Sequence, residues 1–158
     1  MITKKSRHEI NLMKTAGSIV AEVLETMKEL VKPGVSTLEL DEKAEKIIKS
    51  HNAFPSFKGY HGFTGSICAS VNEQVVHGIP NHDVILKEGD IISVDVGATY
   101  KGLVGDAAIT LPVGQISDEL KRLLSVTEEA LYLAIKQVVS GNKLYDTVSA
   151  VVEDKAKE

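Results

Sequence analysis

Apolar residues repeat with a helical period at the start of the chain. Ser6 and Glu9 have the spacing of a capping box, in which each side chain satisfies a backbone donor of the other residue, and this predicts a helix start. One apolar stripe then runs at three- and four-residue steps to the helix-ending sequence KPG, with the members Ile10, Met13, Ala16, Val20, Leu24, Met27 and Val31. Ser36 and Glu39 repeat the capping-box spacing ahead of a shorter amphipathic helix that ends near residues 51–52. The chain therefore opens with a pair of helices.

Residues 53–65 have no helical period, and their one proline and three glycines predict a loop. Four of the seven aromatic residues of the chain lie in this loop, namely Phe54, Phe57, Tyr60 and Phe63. Two interpretations are open. The rings either fix the loop to the core or form the wall of an apolar pocket.

Four extended runs predict two hairpins in the middle of the chain. The strands and their two-residue turns are 66–71 and 74–79 around Asn72-Glu73, and 90–99 and 102–111 around Tyr100-Lys101. The linker at 78–89 contains Pro80 and Asn81 and is expected to be irregular.

The helical period returns beyond residue 112. Ser117 is the predicted cap of a long amphipathic helix whose stripe runs from Leu120 to Val138, and a last helix starts near Asp146 and reaches the C-terminus. A long helix, a glycine turn and a short helix therefore occur twice in the chain, but strands follow only the first time. The order of elements indicates an α+β fold in which a second set of strands is missing.

Composition narrows the class of protein further. The chain has 158 residues and a net charge of −4, with 43% hydrophobic and 25% charged residues, which is typical of one globular domain. Basic residues are scattered, which argues against a DNA-binding or membrane-binding surface. No apolar run is long enough to span a membrane, and a single cysteine excludes an internal disulfide. We therefore expect a soluble cytoplasmic protein.

Two aspartates lie in the otherwise apolar strands of the second hairpin. With the turn at Tyr100-Lys101, antiparallel pairing places Asp95 directly opposite Asp106, with Cβ atoms about 4.5–5.5 Å apart on one face. Like charges at this separation destabilise the pair, so a shared divalent cation or a shared proton is needed to offset the repulsion. The alternative is a longer turn, which would shift the register and place the carboxylates on opposite faces. Gly97 and Gly105 beside the carboxylates leave room for a ligand or for another backbone.

His77 ends the first predicted hairpin, where pairing around Asn72-Glu73 places it opposite Cys68. A lone histidine is more often structural than catalytic. The Cys68/His77 pair is also a possible fragment of a zinc site, but two ligands without a second cluster are a weak indication.

The segments FKGYHGFTGSICASVNEQVVHGIP, LKEGDIISVDVG and GLVGDAAIT, downstream of a helix that ends in KPG, resemble the type I methionine aminopeptidase family. The resemblance extends through the whole chain in the same order. It implies the pita-bread (creatinase/aminopeptidase-like) fold, in which two pseudo-symmetric halves enclose two divalent metal ions, such as Co, Mn, Fe or Zn. On this basis residues 1–112 form a complete N-terminal half with two helices and two hairpins, and residues 113–158 form the opening helices of the second half.

The resemblance also implies the roles of the site residues. Asp95 corresponds to the chelating metal ligand and Asp106 to the bridging one, while His77 corresponds to the catalytic histidine that contacts the substrate and assists proton transfer. The implied reaction is removal of an N-terminal methionine by a metal-activated hydroxide. The implied substrate-binding residues are Phe57, Tyr60, His61, Phe63, Cys68 and His77.

The second half of the family pattern contains one more histidine ligand and two glutamate ligands. No histidine follows His82 in this chain, and the glutamates beyond Asp106 lie in helical stretches. With two of five ligands, we expect weak or no metal occupancy and little activity from this chain alone. The chain is then expected to be a C-terminally incomplete methionine aminopeptidase.

Three hypotheses of function follow. The first is an aminopeptidase that acts on the N-terminal methionine of nascent polypeptides near the ribosome. The second is a non-catalytic half-domain that binds proteins or associates with itself through its exposed inner face. The third, less favoured, is a small metal- or proton-binding scaffold built on Asp95 and Asp106.

Overall fold

The structure, a computed structural model, describes residues 3–155, and the chain folds as two compact units, Met1–Gln115 and Ile116–Glu158. The first unit contains helices α1 (Arg7–Leu30) and α2 (Thr37–Ser50), strands β1 (Phe54–Pro55), β2 (Ile67–Val71), β3 (Ile91–Tyr100) and β4 (Leu103–Pro112), and a 3₁₀ turn at Tyr60–Gly62. The second unit contains α3 (Asp118–Lys136), a π-helical segment (Tyr145–Ser149) and α4 (Ala150–Lys155).

Both predicted capping boxes are confirmed. The Ser6 backbone N–H donates to Glu9 Oε2 at 2.7 Å, and the Ser36 backbone N–H donates to Glu39 Oε2 at 2.8 Å. Ser117 caps α3 as predicted, because its hydroxyl accepts the N–H of Leu120.

The core lies between the two helices and one face of the sheet. Helix α1 packs on β3 and β4, and α2 packs beside α1. Fully buried side chains from all these elements meet there, among them Val23, Met27, Leu40, Ile48, Ile92, Val94 and Val96. The first members of the predicted stripe, Ile10 and Met13, are 42% and 38% exposed, so the stripe is buried from Ala16 to Met27, with Val31 partly buried.

Strand β3 is the centre of an antiparallel sheet. Strand β4 pairs along one edge of β3, and β2 and β1 pair one after the other along the other edge. The hairpin turn lies at Lys101-Gly102, one residue later than predicted, because Tyr100 pairs with Leu103. Both turn residues have positive φ, 48° and 82°, as the favoured two-residue hairpin turn requires, and Gly102 adopts this conformation without strain.

The first predicted hairpin is wrong. Strand β2 pairs with β3, and residues 74–79 are not a strand. Asn72 and His77 have φ values of 52° and 58°, so the backbone is not extended at either position. The segment still returns to β2, where the Ala69 N–H donates to the Gly78 carbonyl at 2.9 Å. The segment 53–65, predicted to be a loop, is mostly irregular. Its regular structure is the short strand β1 and one 3₁₀ turn.

The linker at 78–89 is irregular, as predicted, and is held to the start of α2. The N–H of Thr37 donates to the Val84 carbonyl at 3.0 Å, and the N–H of Gly34 donates to the Leu86 carbonyl at 2.8 Å. These bonds fix the linker although it has no regular structure.

In the second unit, α3 ends at Lys136, two residues before the end of the predicted stripe. The predicted last helix begins as a π-helical turn at Tyr145 and continues as α4, and its final residues, 156–158, lie outside the described part. Among the helices of residues 3–155, none is both long enough and apolar enough to cross a bilayer.

At Gly105, β4 approaches the backbone of α1 closely. A Cβ atom at this position would lie 2.6 Å from the carbonyl carbon of Ala16 and 2.6 Å from the nitrogen of Gly17. Both are backbone atoms of α1, so no side-chain rotation can make room.

We therefore expect Gly105→Ala to lower the free energy of unfolding by about 1–3 kcal/mol, measured by urea denaturation. Gly17→Ala is the matched control on the other side of the same contact, since a Cβ at Gly17 would have no neighbour within 4 Å. It should be neutral or stabilising by up to about 1 kcal/mol. Equal losses in both variants would contradict the close packing.

Candidate metal centre and pocket

The two aspartates lie on the same face of the β3–β4 hairpin but are not directly opposite. Asp95 pairs with Ala108, and Asp106 pairs with Gly97, so the predicted direct pairing is wrong. The later turn moves each partner by two positions, and a shift of two leaves the side chains on the same face. The carboxylates are therefore diagonal neighbours. The Cβ atoms of such pairs are typically separated by somewhat less than about 7–8 Å, which is more than the spacing predicted for direct opposition. The alternative of opposite faces is excluded, because the turn has two residues.

Asp95 is half-buried, and one of its two carboxylate oxygens lacks a hydrogen-bond partner in the described part of the chain. Its Oδ1 atom is buried and has no hydrogen-bond partner among residues 3–155. Burial raises the pKa of the Asp95 carboxyl, and the neighbouring charge of Asp106 raises it further. The charge of His77 acts in the opposite direction, which places the His77 side chain close enough to act on Asp95.

This carboxylate pair fits a divalent cation, because a cation would satisfy the orphaned oxygen and offset the repulsion. A shared proton would relieve the same repulsion. Within the described residues, no three histidine, cysteine or acidic side chains are grouped so that they could hold a metal ion. Asp95 and Asp106 are thus a partial ligand set. The Cys68/His77 pair is likewise not part of a group of three or more ligands among the described residues, so the possible zinc site is not supported.

Cys68 lies directly opposite Asp95 on the neighbouring strand β2. Cys68 is 5% exposed. Burial, followed by the charges of Asp95 and Asp106, raises its pKa to about 11. The backbone N–H of His77 acts on this pKa in the opposite direction. Cys68, Asp95 and His77 are therefore close together, although the hairpin that was expected to bring Cys68 and His77 together does not form.

Phe57 reaches the same face of the sheet. Its ring lies over Gly97, where a Cβ atom would be 2.8 Å from Phe57 Cε1. Gly97 pairs with Asp106 and is two residues from Asp95, so the ring adjoins both carboxylate positions. The room that the two glycines were expected to leave is thus occupied, by Phe57 at Gly97 and by α1 at Gly105.

Tyr60, His61 and Phe63 form a tight turn after Phe57. The N–H of Phe63 donates to the Tyr60 carbonyl at 2.9 Å, and the rings of Tyr60 and His61 meet edge to face at 4.3 Å. Tyr60 is 69% exposed, so its ring does not fix the loop to the core. No described contact joins these three side chains to the carboxylate pair, and their substrate-binding role stays a prediction.

An ion pair holds the aromatic loop to α2. Lys58 Nζ lies 2.8 Å from Glu45 Oε2, and Lys49 bonds the other oxygen of the same carboxylate at 2.6 Å. The hydrogen bonds from Lys49 and Lys58 lower the pKa of Glu45 to about 2. Lys58, the residue after Phe57, is thereby anchored to α2.

Asp41 organises the start of β2 and was not found from the sequence. It is 5% exposed, and its Oδ1 accepts the N–H groups of Ser66 at 2.6 Å and Ile67 at 2.9 Å. Burial raises the pKa of Asp41, while these two donors oppose the shift. The available signal was an acidic residue among the inward-facing positions of α2, between Leu40 and Ala44.

The sequence profile of metallopeptidase family M24 matches residues 11–158. The chain belongs to this family. The chain is also similar in sequence to individual methionine aminopeptidases. The chain is 53% identical to methionine aminopeptidase 1 of Bacillus subtilis over 151 residues and 49% identical to the methionine aminopeptidase of Clostridium acetobutylicum over 153 residues. These alignments cover 96% and 97% of the chain but 60% and 61% of the two relatives.

Solved structures give the same result. The crystal structure of methionine aminopeptidase from Thermotoga maritima superposes with a TM-score of 0.96 at 42% identity, covering 99% of this chain and 63% of that one. The predicted resemblance and the pita-bread fold are therefore confirmed, and M24 membership implies divalent metal ions. The chain spans about 60% of the length of the curated relatives that it matches.

The position of Cys68 gives a direct test of the site geometry. Because the thiolate is the reactive form, the raised pKa should make iodoacetamide modification of this single cysteine slow at pH 8 and faster as the pH approaches 11. Asp95→Asn and Asp106→Asn each remove a negative charge, so each should lower the thiol pKa and accelerate modification.

Asp83→Asn is the control for this measurement, since that carboxylate is 77% exposed and its ion pair is with His82. It should leave the rate unchanged, and all variants should react alike in urea. Equal rates for all folded variants would contradict the proximity of Cys68 to the carboxylates.

Proposed function

We propose that this chain carries the first metal-binding carboxylates and part of the substrate pocket of a methionine aminopeptidase, which removes the N-terminal methionine of polypeptides. The observation that supports this most is the Asp95/Asp106 pair, on one sheet face with an orphaned buried oxygen, in an M24 family chain. The relatives at 53% and 49% identity are named methionine aminopeptidases.

In this proposal Asp95 and Asp106 would hold two divalent ions drawn from Co, Mn, Fe or Zn, together with ligands that the described residues do not supply. When bound, such ions would supply a water activated for attack on the first peptide carbonyl. His77, which acts on the Asp95 carboxyl, would hydrogen-bond the substrate amide and carry a proton.

The apolar side of the site would hold the methionine side chain. Phe57 adjoins the carboxylate positions, and Cys68 lies beside Asp95 as a buried protonated thiol, which is an apolar neighbour at neutral pH. Tyr60, His61 and Phe63 would complete the wall. We also propose that the protein acts in the cytoplasm on nascent polypeptides near the ribosome, without DNA or membrane partners.

Because the chain contributes only two carboxylate ligands, we expect weak binding of Mn²⁺ or Co²⁺ in a calorimetric titration. Asp106→Asn keeps the size of the side chain but removes its charge, and it should weaken binding by at least about tenfold. Asp118→Asn, whose side chain is 97% exposed, should have no effect. Equal binding by all three proteins would contradict the metal site.

Methionine release from a Met-Gly-Met peptide tests the activity. Residues 1–158 alone should show little or no release with added Co²⁺ or Mn²⁺, because the ligand set is partial. Release that disappears in Asp106→Asn would exclude a non-catalytic protein, whereas release that persists in Asp106→Asn would contradict the role of this carboxylate.

A second candidate function is a non-catalytic half-domain that associates with itself. It is favoured by the apolar side chains of the second unit that remain exposed, which are Leu131, Tyr132, Ile135 and Val138 at 54–70%. Burial of such a patch is a common driving force for association.

If this candidate holds, sedimentation should show dimers or larger species at micromolar concentration. Ile135→Lys places a charge in the patch and should shift the distribution toward monomer, whereas Lys143→Glu, at an exposed position outside the patch, should not. A clean monomer for the unmodified chain at this concentration would argue against self-association.

A further inference from the structure

Gly97 is a glycine that the backbone conformation does not require. It is buried within β3, and it is absent from the residues of the chain with positive φ. A strand residue with ordinary φ accepts a side chain, and glycine inside a strand instead marks the close approach of another group. The reason for glycine at this position is therefore to be found in its neighbours.

The neighbour is the ring of Phe57. A Cβ atom at Gly97 would lie 2.8 Å from Phe57 Cε1 and 3.1 Å from Cζ, and 3.0 Å from Ser56 Cβ. Carbon atoms in contact are normally about 3.5–4.0 Å apart, so the ring occupies the space of the missing side chain.

The chain holds the ring there from both sides. Before Phe57, the Ser56 N–H donates to the Gly97 carbonyl at 2.9 Å, and the hydroxyls of Ser56 and Thr99 lie 2.8 Å apart. After Phe57, its carbonyl accepts the Tyr60 N–H at 3.0 Å, and Lys58 pairs with Glu45. Backbone and side-chain bonds on each side therefore leave the ring little freedom to move with the loop.

The position of Gly97 gives this contact a consequence for the site. Gly97 pairs with Asp106 and shares a face with Asp95, so a ring resting on Gly97 borders the space in front of both carboxylates. We propose that Gly97 is a positioning residue that seats the Phe57 ring on β3 and thereby determines how large an apolar side chain reaches the carboxylate pair. The ligand class, an amino acid with a long unbranched side chain, rests on the proposed function, whereas the seating rests on the contacts alone.

Tryptophan fluorescence tests the seating, because the chain contains no tryptophan. Phe57→Trp places a single fluorophore on Gly97, and adding Gly97→Ala should lift it from the strand. The expected result is emission at longer wavelength and stronger quenching by iodide in the double variant. Unchanged emission and quenching would overturn the seating.

A double-mutant cycle repeats the test without tryptophan. Gly97→Ala should lower the urea midpoint in the unmodified chain, and most of this loss should vanish in the Phe57→Ala background. Gly17→Ala, with no neighbour within 4 Å of its Cβ, should give the same small change in both backgrounds. An equal loss from Gly97→Ala in both backgrounds would overturn the proposal, because the ring would then not be the obstacle.

Ligand preference separates positioning from a purely structural role. With Mn²⁺ present, L-methionine and L-alanine binding is measured by calorimetry for the unmodified chain and for Gly97→Ala. A displaced ring narrows the space, so Gly97→Ala should weaken L-methionine binding more than L-alanine binding. Equal weakening would overturn the size-determining role. If the unmodified chain binds neither amino acid, the size-determining role and the proposed pocket both fail, while fluorescence and the urea cycle still decide the seating.

Discussion

The register of β4 on β3 is the constraint on which the site depends. It is set by the two-residue turn at Lys101-Gly102, where both residues have positive φ. From this turn, each following pair is determined, so that Asp95 and Asp106 share a face and Gly105 meets α1 on the opposite side. A shift by one residue would place the two carboxylates on opposite faces and move one of them toward the helix, where a charged side chain would be deprived of water.

The other side of the site depends on a different set of bonds. Buried Asp41 accepts two N–H groups at the start of β2, and this fixes the strand that carries Cys68 opposite Asp95. An unsatisfied buried N–H costs about 1–3 kcal/mol, so the carboxylate is a structural requirement of this turn into the sheet. Helix α2 thus supports the site twice, through Asp41 at β2 and through Glu45 at the aromatic loop.

Local signals predicted the helices well, because a capping box acts within four residues. The shared face of Asp95 and Asp106 was also predictable, since it depends only on whether the register shift is even or odd, although their direct opposition was not. The strand at 74–79 failed because Val75 and Val76 have β-forming side chains but the segment has positive φ at Asn72 and His77. Tertiary hydrogen bonds to β2 determine that conformation, and no local pattern records them. The roles assigned to Phe57, Tyr60, His61, Phe63, Cys68 and His77 came from the resemblance, and local sequence patterns do not reveal which of these side chains meet.

The orphaned Oδ1 atom of Asp95 and its like-charged neighbour have a consequence for folding. A half-buried carboxylate with an orphaned oxygen and a like-charged neighbour favours the protonated form in the native state, whereas the unfolded chain solvates the ion fully. In its ionised form Asp95 therefore lowers the stability of the hairpin. A divalent cation that binds the folded pair and not the unfolded chain would reverse this effect by mass action. The same two carboxylates that weaken the isolated sheet are thus the groups that would couple its stability to metal binding.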